Sequence, residues 1–249
     1  MARSQDPPKT ESAGACPQRG AGEEVSRRNF LRLTMAGSAA GAVAGAAGGL
    51  ALPGAALAQS KLTPDEAIQA LMDGNARYVS RDITSFHEDL DILHDRTAEK
   101  QEPFAAVLAC ADSRVPVELV FDQTIGHLFV CRVAGNVTTP EITASLEYGA
   151  KKLGTKAILV LGHAKCGAVD ATMEGGAVPG QISVLYSSIR PAIDGAGPGL
   201  DAAIKANAKF HARQLSEASP VIAGLIKEKQ LKVVAGFYDI ASGKVTLLD

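Results

Sequence analysis

From residue 104 onward the chain alternates between short, continuous apolar runs and longer mixed stretches. The runs at 104–109, 127–133, 157–162 and 231–237 are apolar at nearly every position, the pattern of strands covered on both faces. Between them lie stretches of a dozen residues or more, such as 140–153 and 181–193, that read as helices. Strands alternating with helices predict an α/β fold with a mostly parallel central β-sheet flanked by helices. Residues 238–249, with Ser242-Gly243 at the turn, predict a hairpin that closes the sheet. Ahead of the sheet, Thr63-Pro64-Asp65-Glu66 is a helix start: a hydroxyl cap, proline at the first helical position, and a glutamate three residues after the cap. That helix should run to about Val79. The charged, irregular segment 82–102 reads as partly helical surface, and the Gly-rich piece 195–199 as a loop between helices. No internal repeat is present.

The first sixty residues follow another pattern. Residues 26–32 read Ser-Arg-Arg-Asn-Phe-Leu-Arg, an Ala/Gly-rich, weakly apolar stretch occupies 33–57, and Ala56-Leu57-Ala58 supplies a small-x-small cleavage pattern. This resembles a twin-arginine export signal with Arg27 and Arg28 as its positive end. Cleavage after Ala58 would begin the mature protein at Gln59, whereas an uncleaved stretch of this length could instead act as an anchor. The expected organisation is therefore a signal peptide and extension at 1–58 and a catalytic domain at 59–249. The resemblance implies the twin-arginine translocation machinery as a partner, a periplasmic destination and export in the folded state.

Composition narrows the partners. The chain has 249 residues, 46% of them hydrophobic, and a formal net charge of −2, which suits a globular core. Basic and acidic residues interleave after residue 60, so there is no stripe for nucleic acid, and a small-molecule partner is expected. Cys16, Cys110, Cys131 and Cys166 are too few and too unevenly spaced for a disulfide framework. Cys16 leaves with the signal, and Cys131, inside an apolar run, reads as core.

Two of the apolar runs end in residues that carry chemistry. The first continues into Cys110-Ala111-Asp112-Ser113-Arg114, and the third into His163-Ala164-Lys165-Cys166-Gly167. In open α/β sheets ligands gather at the carboxyl ends of strands, so the two segments can meet there. Zinc accepts thiolate and imidazole, and catalytic sites use three protein ligands with a fourth position free. Cys110, His163 and Cys166 make that set. A helix start just after Cys166 favours its thiolate form.

Cys-x-Asp-Ser-Arg, followed about fifty residues later by His-x-x-Cys-Gly, resembles the β-class carbonic anhydrases. The segments Phe121-Asp122-Gln123, 129–136 and 145–150 resemble that family as well, so that the similarity spans roughly 60–249. The resemblance implies one Zn2+ per chain, reversible hydration of carbon dioxide to bicarbonate by a zinc-bound hydroxide, and Asp112 with Arg114 as the catalytic dyad. A guanidinium fork matches a carboxylate and keeps it ionised, which suits that role. The resemblance further implies homodimers or larger homo-oligomers, with the Thr63 helix clasping a partner subunit.

Within the family, the plant-like variety lines its substrate pocket with residues that correspond to Gln101, Phe129 and Tyr148. Another variety holds inhibitory bicarbonate at a site that includes tryptophan, and this chain has none. Three rival readings remain: the same scaffold acting on carbonyl sulfide or carbon disulfide, a closed metal-storage site with Asp112 as fourth ligand, and a redox protein using Cys110 and Cys166. The last lacks a Cys-x-x-Cys pair. Nothing selects His87, His94, His127 or His211 as a proton shuttle.

Overall fold

Helix α1 (Pro64–Ser80) begins as its first residues dictate: the Thr63 hydroxyl accepts from the Glu66 N–H at 3.3 Å, and the Glu66 carboxylate accepts from the Thr63 N–H at 2.7 Å. It ends where Arg81 turns left-handed, at φ 64°. The computed structural model in which this is seen describes residues 60–85, 94–95 and 97–249. The export signal, its cleavage motif and Cys16 lie outside the described residues, as does much of the 82–102 segment.

Five strands form one sheet in the order β2-β1-β3-β4-β5. They are β1 (Ala105–Ala109), β2 (Leu128–Arg132), β3 (Ala157–His163), β4 (Lys232–Tyr238) and β5 (Val245–Leu248). All pairings are parallel except β4 with β5, the closing hairpin. Helices α2 (Val117–Val120), α3 (Pro140–Lys151), α4 (Gly167–Glu174), α5 (Ile182–Ile193), α6 (Leu200–Ala218) and α7 (Pro220–Lys227) and a 3-10 turn at Ala134–Asn136 complete the described elements. The expected α/β architecture is present, with strand ends shifted by a residue; β3 runs one residue further and includes His163.

Every residue of β1 and β3 is buried, which explains their uninterrupted apolar runs. Ile158, Leu159, Val160 and Leu161 each withdraw a whole side chain from water, on the order of 1.5–3 kcal/mol apiece. One face of the sheet packs Val107, Leu159 and Leu161 against Ile68 and Leu71 of α1. The other packs Leu108, Ile158 and Val160 with Leu146 of α3, Leu215 of α6 and Ile222 of α7. Cys131 belongs to this second cluster, as its place inside an apolar run predicts. At Gly162 the strand and α6 approach so closely that a Cβ would meet Ile204 Cγ2 at 2.9 Å and its carbonyl oxygen at 3.3 Å.

Two polar anchors tie α1 to the chain around it. The Asn75 amide donates to the carbonyls of Val120 and Gly243 and accepts from the Val245 N–H, pinning the hairpin. Asp122, fully buried at its side chain, accepts from the Thr84 and Ser85 N–H groups on Oδ1 and from the Arg77 guanidinium and Thr84 hydroxyl on Oδ2. No helix among the described residues is long and apolar enough to cross a membrane.

Candidate metal centre

The carboxyl ends of β1 and β3 deliver Cys110 and His163 side by side, because the two strands pair in register from Ala105 with Ala157 to Ala109 with Leu161. Three residues beyond His163, Cys166 caps the start of α4. Lys165 lies between them in the left-handed region at φ 56°, the bend that folds His163 and Cys166 back onto one point. The ligand atoms of Cys110, His163 and Cys166 all lie within 4.8 Å of one another, and all three residues are buried. Around them pack Val137, Val169, Ile189, Ile204 and Phe237.

Each donor is prepared for a cation. The Ala164 carbonyl lies 3.0 Å from His163 Nδ1, which therefore carries the proton, and Nε2 is left with a free lone pair. That Nε2 is buried and has no hydrogen-bond partner, an arrangement that a bound metal would satisfy. Cys110 Sγ accepts from the Gly135 N–H at 3.3 Å. A hydrogen bond from the Cys166 thiol, with a further one from the Gly135 N–H, holds the Cys110 thiol well below its usual range against the opposing effect of burial. The same contact, together with burial and the Cys110 charge, pushes Cys166 up. Without a cation the two thiols thus share one proton, and an ion that draws off that proton fits the donor set.

Asp112 and Arg114 form the pair the sequence predicts. The Arg114 backbone N–H and Nε donate to Asp112 Oδ1 at 2.9 and 3.0 Å, and Nη2 donates to Oδ2 at 2.7 Å. These bonds, the guanidinium ones first, hold the Asp112 carboxyl well below the usual carboxylate range. Oδ2 lies 3.8 Å from His163 Nε2 and keeps one lone pair unused. Arg114 Nη2 also donates to the Lys165 carbonyl at 3.2 Å, linking the two ligand-bearing loops.

Sequence reasoning missed three supports. Arg132, at the end of β2, donates to the carbonyls of Cys110 and Asp112 and so braces the first loop. Gly135 and Asn136 are consecutive left-handed residues, at φ 75° and 44°, and their turn aims the Gly135 N–H at Cys110. Asn207 of α6 donates to the Gly135 carbonyl at 2.8 Å. The Gly-Asn pair was a readable turn signal; Arg132 and Asn207 had none.

The pocket residues are not gathered with the others in a single chain. Gln101 precedes the amino end of β1, and that strand spans about 17 Å before Cys110. Phe129 pairs in register with Ala106, about 13 Å short of Cys110, and stacks on exposed Tyr148 of α3 at a centroid distance of 6.4 Å. The distance along the strands keeps Gln101 and Phe129 away from the metal centre of their own chain. His211 is buried, so of the histidines that were candidates for a surface shuttle it is excluded as a surface group.

A parallel sheet that presents two thiols and an imidazole at its strand ends, beside a clamped carboxylate, defines a class of α/β proteins with a three-donor metal centre. The comparisons with known proteins narrow that class. The carbonic anhydrase family profile matches residues 105–245. A carbonic anhydrase from Mycolicibacterium smegmatis is 34% identical over 195 residues, covering 74% of this chain and 93% of that protein. Among solved structures, the β-carbonic anhydrase of Coccomyxa in complex with acetazolamide superposes with a TM-score of 0.58 at 26% identity, over 73% of this chain and 86% of that one. A tetrameric β-carbonic anhydrase of Sordaria macrospora shares the fold with a TM-score of 0.59 at 24% identity, over 74% and 97% of the two chains. The chain belongs to the β-class carbonic anhydrases. It is a carbonate dehydratase, an enzyme of the hydration of carbon dioxide to bicarbonate.

Proposed function

We propose that Cys110, His163 and Cys166 hold one Zn2+ per chain and that Asp112 and Arg114 are its catalytic dyad. The observation that carries this reading is the convergence of three buried donor atoms within 4.8 Å, one of them an imidazole nitrogen with no other partner. When bound, zinc would act as a Lewis acid that brings the pKa of a coordinated water from 15.7 to near 7, supplying hydroxide for attack on carbon dioxide. The protein's part is orientation and charge. Arg114 fixes the plane of the Asp112 carboxylate, so that the spare lone pair of Oδ2 can accept a proton donor at the centre and direct the nucleophile toward the substrate carbon. Because Arg114 occupies both Asp112 oxygens, the dyad favours an open fourth position, as in the plant-like variety, over a closed storage site.

Gln101, Phe129 and Tyr148 enter this reading through a second subunit. β2 is an edge strand of the sheet, and Phe129 and Tyr148 stand beside that edge. A homodimer or larger homo-oligomer formed there would carry them to a neighbour's centre, and the Sordaria macrospora relative is tetrameric. Phe129 would then keep the pocket dry and Gln101 would donate to a substrate oxygen. Residues 1–58 are read as a twin-arginine signal removed after Ala58, which places the catalytic domain at 59–249 and the enzyme in the periplasm.

The test is stopped-flow carbon dioxide hydration by the protein beginning at Gln59, with zinc measured on the same sample. One zinc per chain with turnover that disappears on chelation supports the reading. One zinc per chain with no turnover from mildly acidic to alkaline pH would overturn it in favour of the sulfur substrates or a closed site.

A further inference from the structure

Asn207 is the least expected polar residue of α6. It is fully buried, flanked on the helix by Ala203, Ile204, Ala208 and Ala212, and its Oδ1 has no hydrogen-bond partner. A buried amide left half satisfied costs stability, on the order of 1–3 kcal/mol for the orphaned group. Its position is informative because of where its single bond goes. The Asn207 Nδ2 donates to the Gly135 carbonyl at 2.8 Å, and the Gly135 N–H donates to Cys110 Sγ at 3.3 Å.

The turn that joins these two bonds needs support from its surroundings. Gly135 and Asn136 are both left-handed, a conformation that for Asn136 costs free energy unless the surroundings impose it. On one side the turn is walled by Ile189, whose Cδ1 stands 2.7 Å from where a Gly135 Cβ would be. On the other side Asn207 grips the peptide that links Gly135 to Asn136. Loss of that grip leaves Gly135 unheld on its carbonyl side, and the direction of its N–H toward the sulfur is no longer fixed by α6.

We propose that Asn207 is a positioning residue for the metal centre, acting through Gly135 to keep an N–H donor on the Cys110 thiolate. The proposal rests on the reading of Cys110 as a metal ligand. Donation to a ligating thiolate draws charge from the sulfur and fixes its direction, so that metal affinity and the electronic character of the metal–thiolate bond both depend on it.

Cobalt(II) replaces zinc in the test, because thiolate-to-cobalt charge-transfer bands report on the sulfur directly. The unaltered protein, Asn207→Leu and Asn207→Asp are titrated with cobalt and then challenged with a chelator, alongside Leu215→Ala, a cavity variant on the same helix. Leu215→Ala should melt at lower temperature with an unmoved band. Asn207→Leu, close in size but without a donor, should show a displaced band and about 10–100-fold weaker metal retention. Asn207→Asp, isosteric with the native residue, answers the question if the leucine variant does not fold, and should displace the band likewise. A lowered melting temperature with an unmoved band and unchanged retention in the Asn207 variants would assign Asn207 a merely structural role and overturn the proposal. Absence of any charge-transfer band in the unaltered protein would instead refute the ligand reading beneath it.

Discussion

Two aspartate–arginine pairs sit at different places in this molecule and do different work. Asp122, on the α1 side, spends all four of its carboxylate lone pairs on Arg77, Thr84 and Ser85. Asp112, at the strand ends, accepts three bonds from Arg114 and keeps one lone pair on Oδ2, beside His163 Nε2. The saturated pair fastens a helix to a loop. The unsaturated pair has capacity left for a reacting group. Residue type and pairing are the same in both, so hydrogen-bond accounting, rather than the presence of an ion pair, separates an anchor from chemistry.

That contrast can be broken in several ways. The largest effect is expected at the centre itself: Cys166→Ala should lose zinc and lower kcat/KM by well over 100-fold, beyond the 10–100-fold typical of outer-shell changes. Metal analysis and stopped-flow hydration check it together. Next, Asp112→Asn should keep zinc and its melting temperature while turnover falls about 100-fold, since on the proposed reading only the unsaturated pair meets the substrate. Unchanged turnover with zinc retained would remove Asp112 from the mechanism.

Asp122→Asn should reverse that pattern. An amide NH2 facing the Thr84 hydroxyl and Arg77 repels donors that the carboxylate accepts, costing about 2–3 kcal/mol after allowance for the partly exposed Arg77. For a domain of this size that lowers Tm by about 5–10 °C, with kcat per folded molecule unaltered. A calorimetric scan beside an activity assay distinguishes the two aspartates.

Acid separates the regions further. Burial pushes the His211 imidazole down to about 4, from 6.5, despite a hydrogen bond to the Gln214 side-chain oxygen that favours its charged form. The unfolded chain therefore binds the extra proton first, and this contribution to stability is full above pH 6.5 and is lost as pH falls toward 4. Between pH 7 and 5 the loss should be about 2 kcal/mol in urea unfolding, and His211→Gln should flatten it. Burial alone would raise Asp122, but the Ser85, Arg77 and Thr84 bonds outweigh it and leave its carboxyl below the usual range. Its contribution is present above pH 3.9 or so and is lost only at lower pH, so the anchor should outlast the His211 contribution on acidification.

How legible these features were depended on whether they are local. Cys110 to Arg114 and His163 to Cys166 each span one loop at a strand end, and the uninterrupted runs before them marked those ends. Helix α1 was readable from its capping box. Helix α2 has four residues, too few for a period to show. Arg132 and Asn207 reach the centre across the sheet and from another helix, so that no spacing could reveal them. Gln101, Phe129 and Tyr148 were placed by resemblance alone, which carries sequence position but not distance from the metal centre.

Gly162 sets a limit of another kind. It has no side chain where β3 passes Ile204, one turn before Asn207 on α6, and it immediately precedes His163. A single methyl at 162 would act as a wedge, parting strand from helix at the point where imidazole and amide are both aimed. The centre is thus built to a clearance of one hydrogen atom, and an engineer who wished to detune the metal without touching any donor would begin with Gly162→Ala.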